Sequence, residues 1–385
     1  MKKKSLKIGI FCPYNLAMPG GVQQHVFEQA KELRRRGYEV KIVTPKPRGE
    51  LLIDDRDVVF VGTSARFRTP QHTSVDGSIS VSNEEIETMV ANEQFDVMHM
   101  HEPLVPLVAR QMLPRIPCPV LGTFHAAMPE TMLAKSIAGS ISPFVRGVLK
   151  HLDAFTAVSP AATSYISNYV DTSDVYLVPN GVNLVNYHKA GKTDKARKHI
   201  LYVGRLEKRK GTRFLIEAFA FLHESMPDVR LTIAGDGPDR QKLEQYADEL
   251  GVSPFIDFLG YVDDAAKQKL MREAALFVSP ALYGESFGIV LIEAMASGTP
   301  VIGGYNPGYA FVLQGRGAFG LVDPEESELF ASRMEIFLTD TKFRKLWQEW
   351  ALNEVKKYSY KSIVDSYEKI YKDLAAKGKQ QVAKQ

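Results

Sequence analysis

Residues 6–44 read LKIGIFCPYNLAMPGGVQQHVFEQAKELRRRGYEVKIVT, and this stretch decides the fold. The apolar run LKIGIFC stops at Pro13, a Gly-Gly turn follows, and VQQHVFEQAKELRRRG then carries apolar residues at helical spacing until Gly37 closes it. YEVKIVT is a second short apolar run. Strand, loop, helix and strand in this order form a βαβ unit, whose strands pair in parallel through a right-handed crossover.

The alternation continues along the chain. Strand candidates FDVMHMH, PVLGTFH and AFTAVS are separated by helix-like segments, which predicts a doubly wound α/β sheet. After DVYLVPNGVNLVNYH the composition turns polar at AGKTDKARK, a plausible interdomain linker, and a second series begins with HILYVG, the helix TRFLIEAFAFLHES, and strands at VRLTIAG, IDFLG, LFVSP and PVIGG. The expected organisation is two Rossmann-like domains facing each other across a cleft, 1–188 and 189–358. Residues 359–385 follow, with KSIVDSYEKIYKDLAAK as a helix and AKGKQQVAKQ as a frayed tail.

Composition bounds the function. A chain of 385 residues with 45% hydrophobic and 24% charged residues is an ordinary globular protein with a sizeable core. A formal charge of +3 argues against nucleic acid as a partner, and a basic cluster such as Arg34-Arg35-Arg36 reads first as a solvated helix face. Cys12 and Cys118, each in an apolar segment, read as buried free thiols of the cytoplasm. The opening MKKKS is not followed by a signal core, and no apolar run approaches the roughly 18 residues of a membrane span, so any membrane contact is expected to be peripheral.

In parallel sheets ligands bind beyond the carboxyl ends of the strands, which singles out the loops after LKIGIFC, PVLGTFH, HILYVG and LFVSP. Pro19-Gly20-Gly21 opens a helix whose free N–H groups would suit a phosphate, or it is simply a turn. A nicotinamide enzyme fits badly, because G-x-G-x-x-G is missing and the second strand ends in KIVTPK where a ribose-binding acid should stand. Arg205 and Lys210 flank the loop after HILYVG and would suit a diphosphate, or they are solvated charges. GESFGIVLIEAM, residues 284–295, sets Glu285 in a loop and Glu293 inside the following helix. Both on one helix would stand ~12 Å apart, too far for a glycosidase acid pair. An acid before the helix with backbone N–H groups at Phe287 and Gly288 could grip a polyol and its phosphate; a capping acid and a partnered buried acid are the alternative.

PGGVQQHV, TFH, PNGV, GRLEKRKG, IAGDGP, LGYVDD and GESFGIVLIEAMASGTPV occur in an order that resembles the retaining GT-B glycosyltransferases of family four, above all the phosphatidylinositol mannosyltransferases. The resemblance implies a nucleotide-sugar donor held mostly by the second domain, a lipid or glycan acceptor on the first, and a last helix that crosses back to the N-terminal domain. It implies that Glu285 binds hydroxyls of the transferred sugar and Glu293 the nucleotide ribose. The backbone around Ser286, Phe287, Gly288 and Ile289 would hold donor phosphate and sugar, Arg205 and Lys210 would neutralise the diphosphate, and Gly20 and Gly21 would let the first loop close over it. His125 would stand beside the reacting sugar.

In LGYVDDAAK, residues 259–267, Asp264 would accept the two adjacent guanine donors, Val262 would give backbone contacts and Lys267 would lie by the base; a solvated Asp-Asp helix cap is the other reading. The expected function is therefore metal-independent, cofactor-free transfer of mannose from GDP-mannose to a phosphatidylinositol-type glycolipid, in the cytoplasm or at the inner face of the membrane. The alternatives are a UDP-sugar enzyme acting on diacylglycerol, polysaccharide or a small molecule, and a non-catalytic sugar-nucleotide binder. Where the inositol-lipid enzymes are basic, this chain reads EEIETMVANEQ, so Arg66, Arg68 and the segment TMLAKSIAGSISPFVRGVLKHL are the substitute membrane face. Asp55-Arg56-Asp57 reads as a solvated turn rather than a metal-binding DxD, and His99-x-His101 lacks a third ligand nearby.

Overall fold

The computed structural model describes residues 5–18, 20–47, 57–68, 74–105, 108–127, 142–187 and 199–382. The chain divides into two compact units, one of residues 1–181 with 360–385 and one of residues 182–359. The division thus falls at 181/182 and 359/360 rather than at 188/189 and 358/359, and the expected linker AGKTDKARK lies outside the described residues.

The first unit runs β1 (Lys7–Phe11), α1 (Gly21–Arg35), β2 (Glu39–Lys46), β3 (Val58–Arg68), β4 (Ser74–Ser80), α2 (Asn83–Glu93), β5 (Val97–His101), α3 (Val108–Met112), β6 (Val120–Phe124), a helix α4 over 142–149, β7 (Ala154–Ala157) and β8 (Val175–Leu177). Its eight strands lie in the order β4-β3-β2-β1-β5-β6-β7-β8, parallel except for the antiparallel β3–β4 pair. The direction of winding reverses at β1, between β2 and β5, which is where a doubly wound sheet opens a crevice beyond its strand ends.

The second unit runs α5 (Leu184–Tyr187), β9 (His199–Val203), α6 (Thr212–Ser225), β10 (Arg230–Ala234), α7 (Arg240–Glu249), β11 (Ile256–Gly260), α8 (Asp264–Glu273), β12 (Leu276–Ser279), α9 (Ile289–Ala296), β13 (Val301–Gly304), α10 (Pro307–Val312), β14 (Leu321–Val322), α11 (Ser327–Thr339) and α12 (Thr341–Glu354). Its sheet is β11-β10-β9-β12-β13-β14, all parallel, with the reversal at β9. The loops after β9 and β12 therefore leave neighbouring strands on the same side of the same switch point.

The last helix, α13 (Tyr360–Val382), belongs to the first unit. Ile363, Val364, Tyr367, Ile370, Tyr371, Leu374 and Ala375 recur at helical spacing and share a core with Ile8 and Ile10 of β1, Val97 of β5 and Val26, Ala30 and Leu33 of α1. The helix continues through residues expected to fray. Gly378 is no break, because a Cβ there would stand 2.7 Å from the Pro119 ring; glycine lets helix and loop approach closely. Cys12 is buried, but Cys118 is only half-buried, against expectation, since it stands outside the strand cores on the loop before β6. Among the described residues no helix is long and apolar enough to cross a membrane.

Candidate active site

In the second unit the carboxyl ends of β9 and β12 bring the expected residues together. Lys210, in the turn after β9, places Nζ 2.7 Å from Glu285 Oε1 in the loop after β12. Arg209, which sequence reasoning passed over, does the same: its Nη1 lies 2.7 Å from the same oxygen, and its Nη2 2.7 Å from Glu207. Its adjacency to Lys210 in GRLEKRKG was the available signal. Burial would raise the Glu285 carboxyl, but Lys210 and Arg209 outweigh it and hold the group below the ordinary carboxylate range. Arg205 stands apart, with 46% of its side chain exposed and 3.9 Å from Glu207, so its guanidinium can turn to an anion.

Behind Glu285 the chain turns at Gly288, whose φ of +98° is left-handed and whose added Cβ would meet the Tyr309 ring at 2.6 Å. No L side chain fits there without strain. This turn starts α9 and aims its first N–H groups beyond the sheet, beside the Glu285 loop. Phe287 is buried and packs edge-on to Tyr358 with centroids 5.6 Å apart, so only its backbone is left for a ligand. Ser286 and Ile289 flank the same turn.

Glu293, one helical stretch later, is 2% exposed. Its Oε1 accepts from Tyr187 Oη at 2.5 Å and from Lys267 Nζ at 2.8 Å, while Oε2 is buried with no partner among the described residues. Lys267, expected beside a base, bridges Glu293 and Asp264, the latter at 3.1 Å. Burial would lower its ammonium, yet Glu293 and Asp264 raise it, so it stays charged. Asp263, not Asp264, caps α8, accepting from the Ala266 N–H at 2.8 Å; Asp264 is the first helical residue, 68% exposed on its side chain. The cap expected of the pair thus falls to Asp263, while Asp264 pairs with Lys267. Val262 is half-buried in the turn before it.

His125, Gly20 and Gly21 lie in the first unit. Gly20 is extended and Gly21 begins α1, both exposed at the switch point. His125 follows β6 and is 7% exposed. Glu102, at a left-handed φ of +48°, accepts from the backbone N–H of His125 at 2.7 Å and of Ala126 at 2.6 Å. Burial pushes the Glu102 carboxyl up to about 7, against those two donors. Burial also lowers the His125 imidazole to about 4, against a hydrogen bond with the Asn180 side chain, so the ring is neutral at neutral pH.

His99 and His101 face the same side of β5, as their spacing predicts, but they bond to protein groups: His99 Nδ1 to Tyr371 Oη at 2.7 Å, and His101 Nδ1 to His125 Nε2 at 2.8 Å. Among the described residues no group of three or more His, Cys, Asp or Glu side chains is arranged to hold a metal ion. Of the DxD-like triplet only Asp57 is described, paired with Arg34 at 3.3 Å; Asp55 and Arg56 lie outside the described residues, as do the side chains of Arg66 and Arg68 and residues 131–141 of the substitute membrane face.

Comparison with known proteins gives the family and the fold. The family described as "Glycosyltransferase Family 4" matches residues 19–186, and "Glycosyl transferases group 1" matches residues 186–353. The phosphatidyl-myo-inositol mannosyltransferase of Mycobacterium leprae is 31% identical over 98% of this chain and 100% of its own length. Among solved structures, a glycosyltransferase of Rickettsia africae superposes with a TM-score of 0.76 at 19% identity, covering 97% of this chain and 99% of that one. HepE of Anabaena in complex with UDP-glucose gives 0.75 at 19%, covering 96% and 100%; these two show the shared fold. The chain is a hexosyltransferase of the GT-B fold and belongs to the family-four glycosyltransferases, among relatives that include the phosphatidyl-myo-inositol mannosyltransferases.

Proposed function

We propose that this protein transfers mannose from GDP-mannose to a phosphatidylinositol-type lipid, with retention at the anomeric carbon and without a metal or other cofactor. The observation that carries the reading is the orphaned Glu293 Oε2, a buried acceptor that a ribose hydroxyl would satisfy. The ribose places the rest of the donor. Its diphosphate meets Arg205, Lys210 and the start of α9, and its sugar hydroxyls meet Glu285. As the bond from the sugar to the diphosphate breaks, negative charge grows on the leaving phosphate, where these cations and N–H groups stabilise it more than in the ground state. The acceptor hydroxyl attacks from the same face and gives its proton to that phosphate, so retention needs no enzymic nucleophile.

The mannose and the inositol lipid are supported by the mannosyltransferase relatives. The lipid requires the protein to meet the inner face of the membrane peripherally. α2, which carries Glu84 and Glu85 in its first turn, is ill suited to an anionic surface, so the membrane is met by another face of the first unit.

Guanine is supported by Asp264, whose carboxylate is exposed at the start of α8 and can receive both guanine donors. Calorimetry tests it. GDP should bind about ten- to a hundredfold more tightly than UDP, the equivalent of ~1–3 kcal/mol for unpaired donors, and Asp264→Ala should erase most of that preference. Equal affinities, or UDP the tighter, would move the reading to a UDP-sugar donor.

A further inference from the structure

The helices on one face of the first sheet differ in charge. α3 leads from β5 to β6 and α4 from β6 to β7, neighbouring parallel strands, so right-handed crossovers set both helices on the same face. α2, with Glu84 and Glu85 in its first turn, packs against β3 and α3, on the side away from α4. Between α3 and α4 opens a cleft of about 450 Å³. It lies on the flank of the sheet, not beyond the strand ends where the donor residues gather.

The charged lining of this cleft is cationic. Arg110 of α3 and Lys150 and His151 at the end of α4 line it, and no carboxylate does. The next acid in sequence, Asp153, is engaged elsewhere, accepting from the Val120 N–H at 2.8 Å. The remaining lining is apolar, from Pro114, Pro143 and Phe144. Gly147 lies between, inside α4, where glycine costs stability relative to alanine. No close neighbour requires it, because a Cβ there would meet nothing within 4 Å. Its effect is to keep the helix surface low and the cleft open.

We propose that this cleft docks the headgroup of an anionic membrane phospholipid, a lipid that holds the protein on the surface and is not itself glycosylated. Arg110 and Lys150 meet the phosphodiester, His151 adds a ring N–H donor, and Pro143 and Phe144 meet the glycerol backbone and first methylenes. A small soluble anion would use the cations and leave the apolar lining bare; an amphiphile uses both. The acids of α2 are repelled by the same surface and so help to set which side of the unit turns to it. The choice of a membrane as the source of the phosphodiester rests on the reading that the acceptor is a lipid.

Sedimentation of the full chain with vesicles tests this in the absence of any donor. The protein should bind mixed phosphatidylglycerol and phosphatidylcholine vesicles about tenfold or more tightly than vesicles of phosphatidylcholine alone. Arg110→Ala and Lys150→Ala, both at exposed positions, should each weaken that binding about fivefold. Arg146→Ala should stay within about twofold, because Arg146 is on the same helix but turned to the Tyr169 ring at 5.5 Å. Gly147→Leu keeps every charge and fills the cleft, and should weaken binding on the order of tenfold. A loss at Arg146 equal to that at Lys150, or wild-type binding by folded Gly147→Leu, would overturn the cleft in favour of diffuse surface charge. Release of the protein by millimolar glycerol phosphate at fixed ionic strength would make the ligand a free phosphate and overturn the lipid. A chain that docks through the cleft yet leaves phosphatidylinositol unmannosylated supports the docking site and refutes the acceptor reading alone.

Discussion

A carboxylate oxygen buried without a donor costs about 1–3 kcal/mol, and Glu293 Oε2 is such an atom. Glu285, by contrast, has two cations on one oxygen. The two acids therefore have separable roles. Glu293→Gln should weaken GDP about tenfold or more, because it removes the proposed ribose acceptor and the charge that holds Lys267; Glu285→Gln should leave GDP affinity within about threefold while cutting turnover on the order of a hundredfold. Calorimetry on both variants, with kinetics on the second, checks this, and near-normal turnover in folded Glu285→Gln would remove its sugar-binding role.

Glu102 gives a pH signature in the first unit. Its carboxyl is raised by burial from 4.5 to about 7, so the folded state binds its proton more tightly than the unfolded chain does. Its contribution to stability is complete below about pH 4.5 and is lost as pH rises through about 7, with ~3 kcal/mol at stake. Glu102→Gln keeps an oxygen for the His125 and Ala126 N–H groups and should flatten that slope between pH 4.5 and 7. Urea midpoints across that range decide the matter; an identical slope in both proteins would contradict it. Glu285, Glu293, Lys210 and Arg205 were legible in the sequence because acids and cations in strand-end loops stand out. Arg209 and Tyr187 were not, since one hid in a basic run and the other reaches Glu293 from a helix 106 residues earlier in the chain.

At the scale of elements, parallel strands buried on both faces read as plain apolar runs, and β1, β2, β5, β6, β9, β10 and β12 fall where those runs predict. The hairpin β3–β4 escaped, because SVDGSIS is rich in Ser, Asp and Gly, which strands disfavour, and the register shifts between Thr63 and Ser64. β8 and β14, of three and two residues, are too short to show any period. α9 was legible down to its ends because Gly288 marks its start. Gly288→Ala should destabilise the second unit by ~1–3 kcal/mol through its left-handed φ and the Tyr309 contact, and should weaken GDP by tilting the first turn of α9. Thermal unfolding and GDP titration read both effects; wild-type values in each would show that the turn carries neither strain nor ligand.

At the scale of the molecule, each unit repeats one plan, a sheet parallel except for the β3–β4 pair of the first unit, with its switch point at the strand that begins the unit's sheet, β1 in one and β9 in the other. The plan was legible from alternating periodicity, whereas the return of α13 to the first unit came from family resemblance alone, since no local pattern says where a C-terminal helix docks. The activity is tested most directly by incubating the purified chain with GDP-mannose and phosphatidylinositol vesicles in excess EDTA, then reading the lipid by mass spectrometry and its anomeric linkage by NMR. The expected product is an α-mannosyl inositol lipid formed with stoichiometric GDP and undiminished by the chelator. Turnover of a UDP-hexose but not of GDP-mannose, or activity that vanishes in EDTA and returns with a divalent ion, would contradict the account.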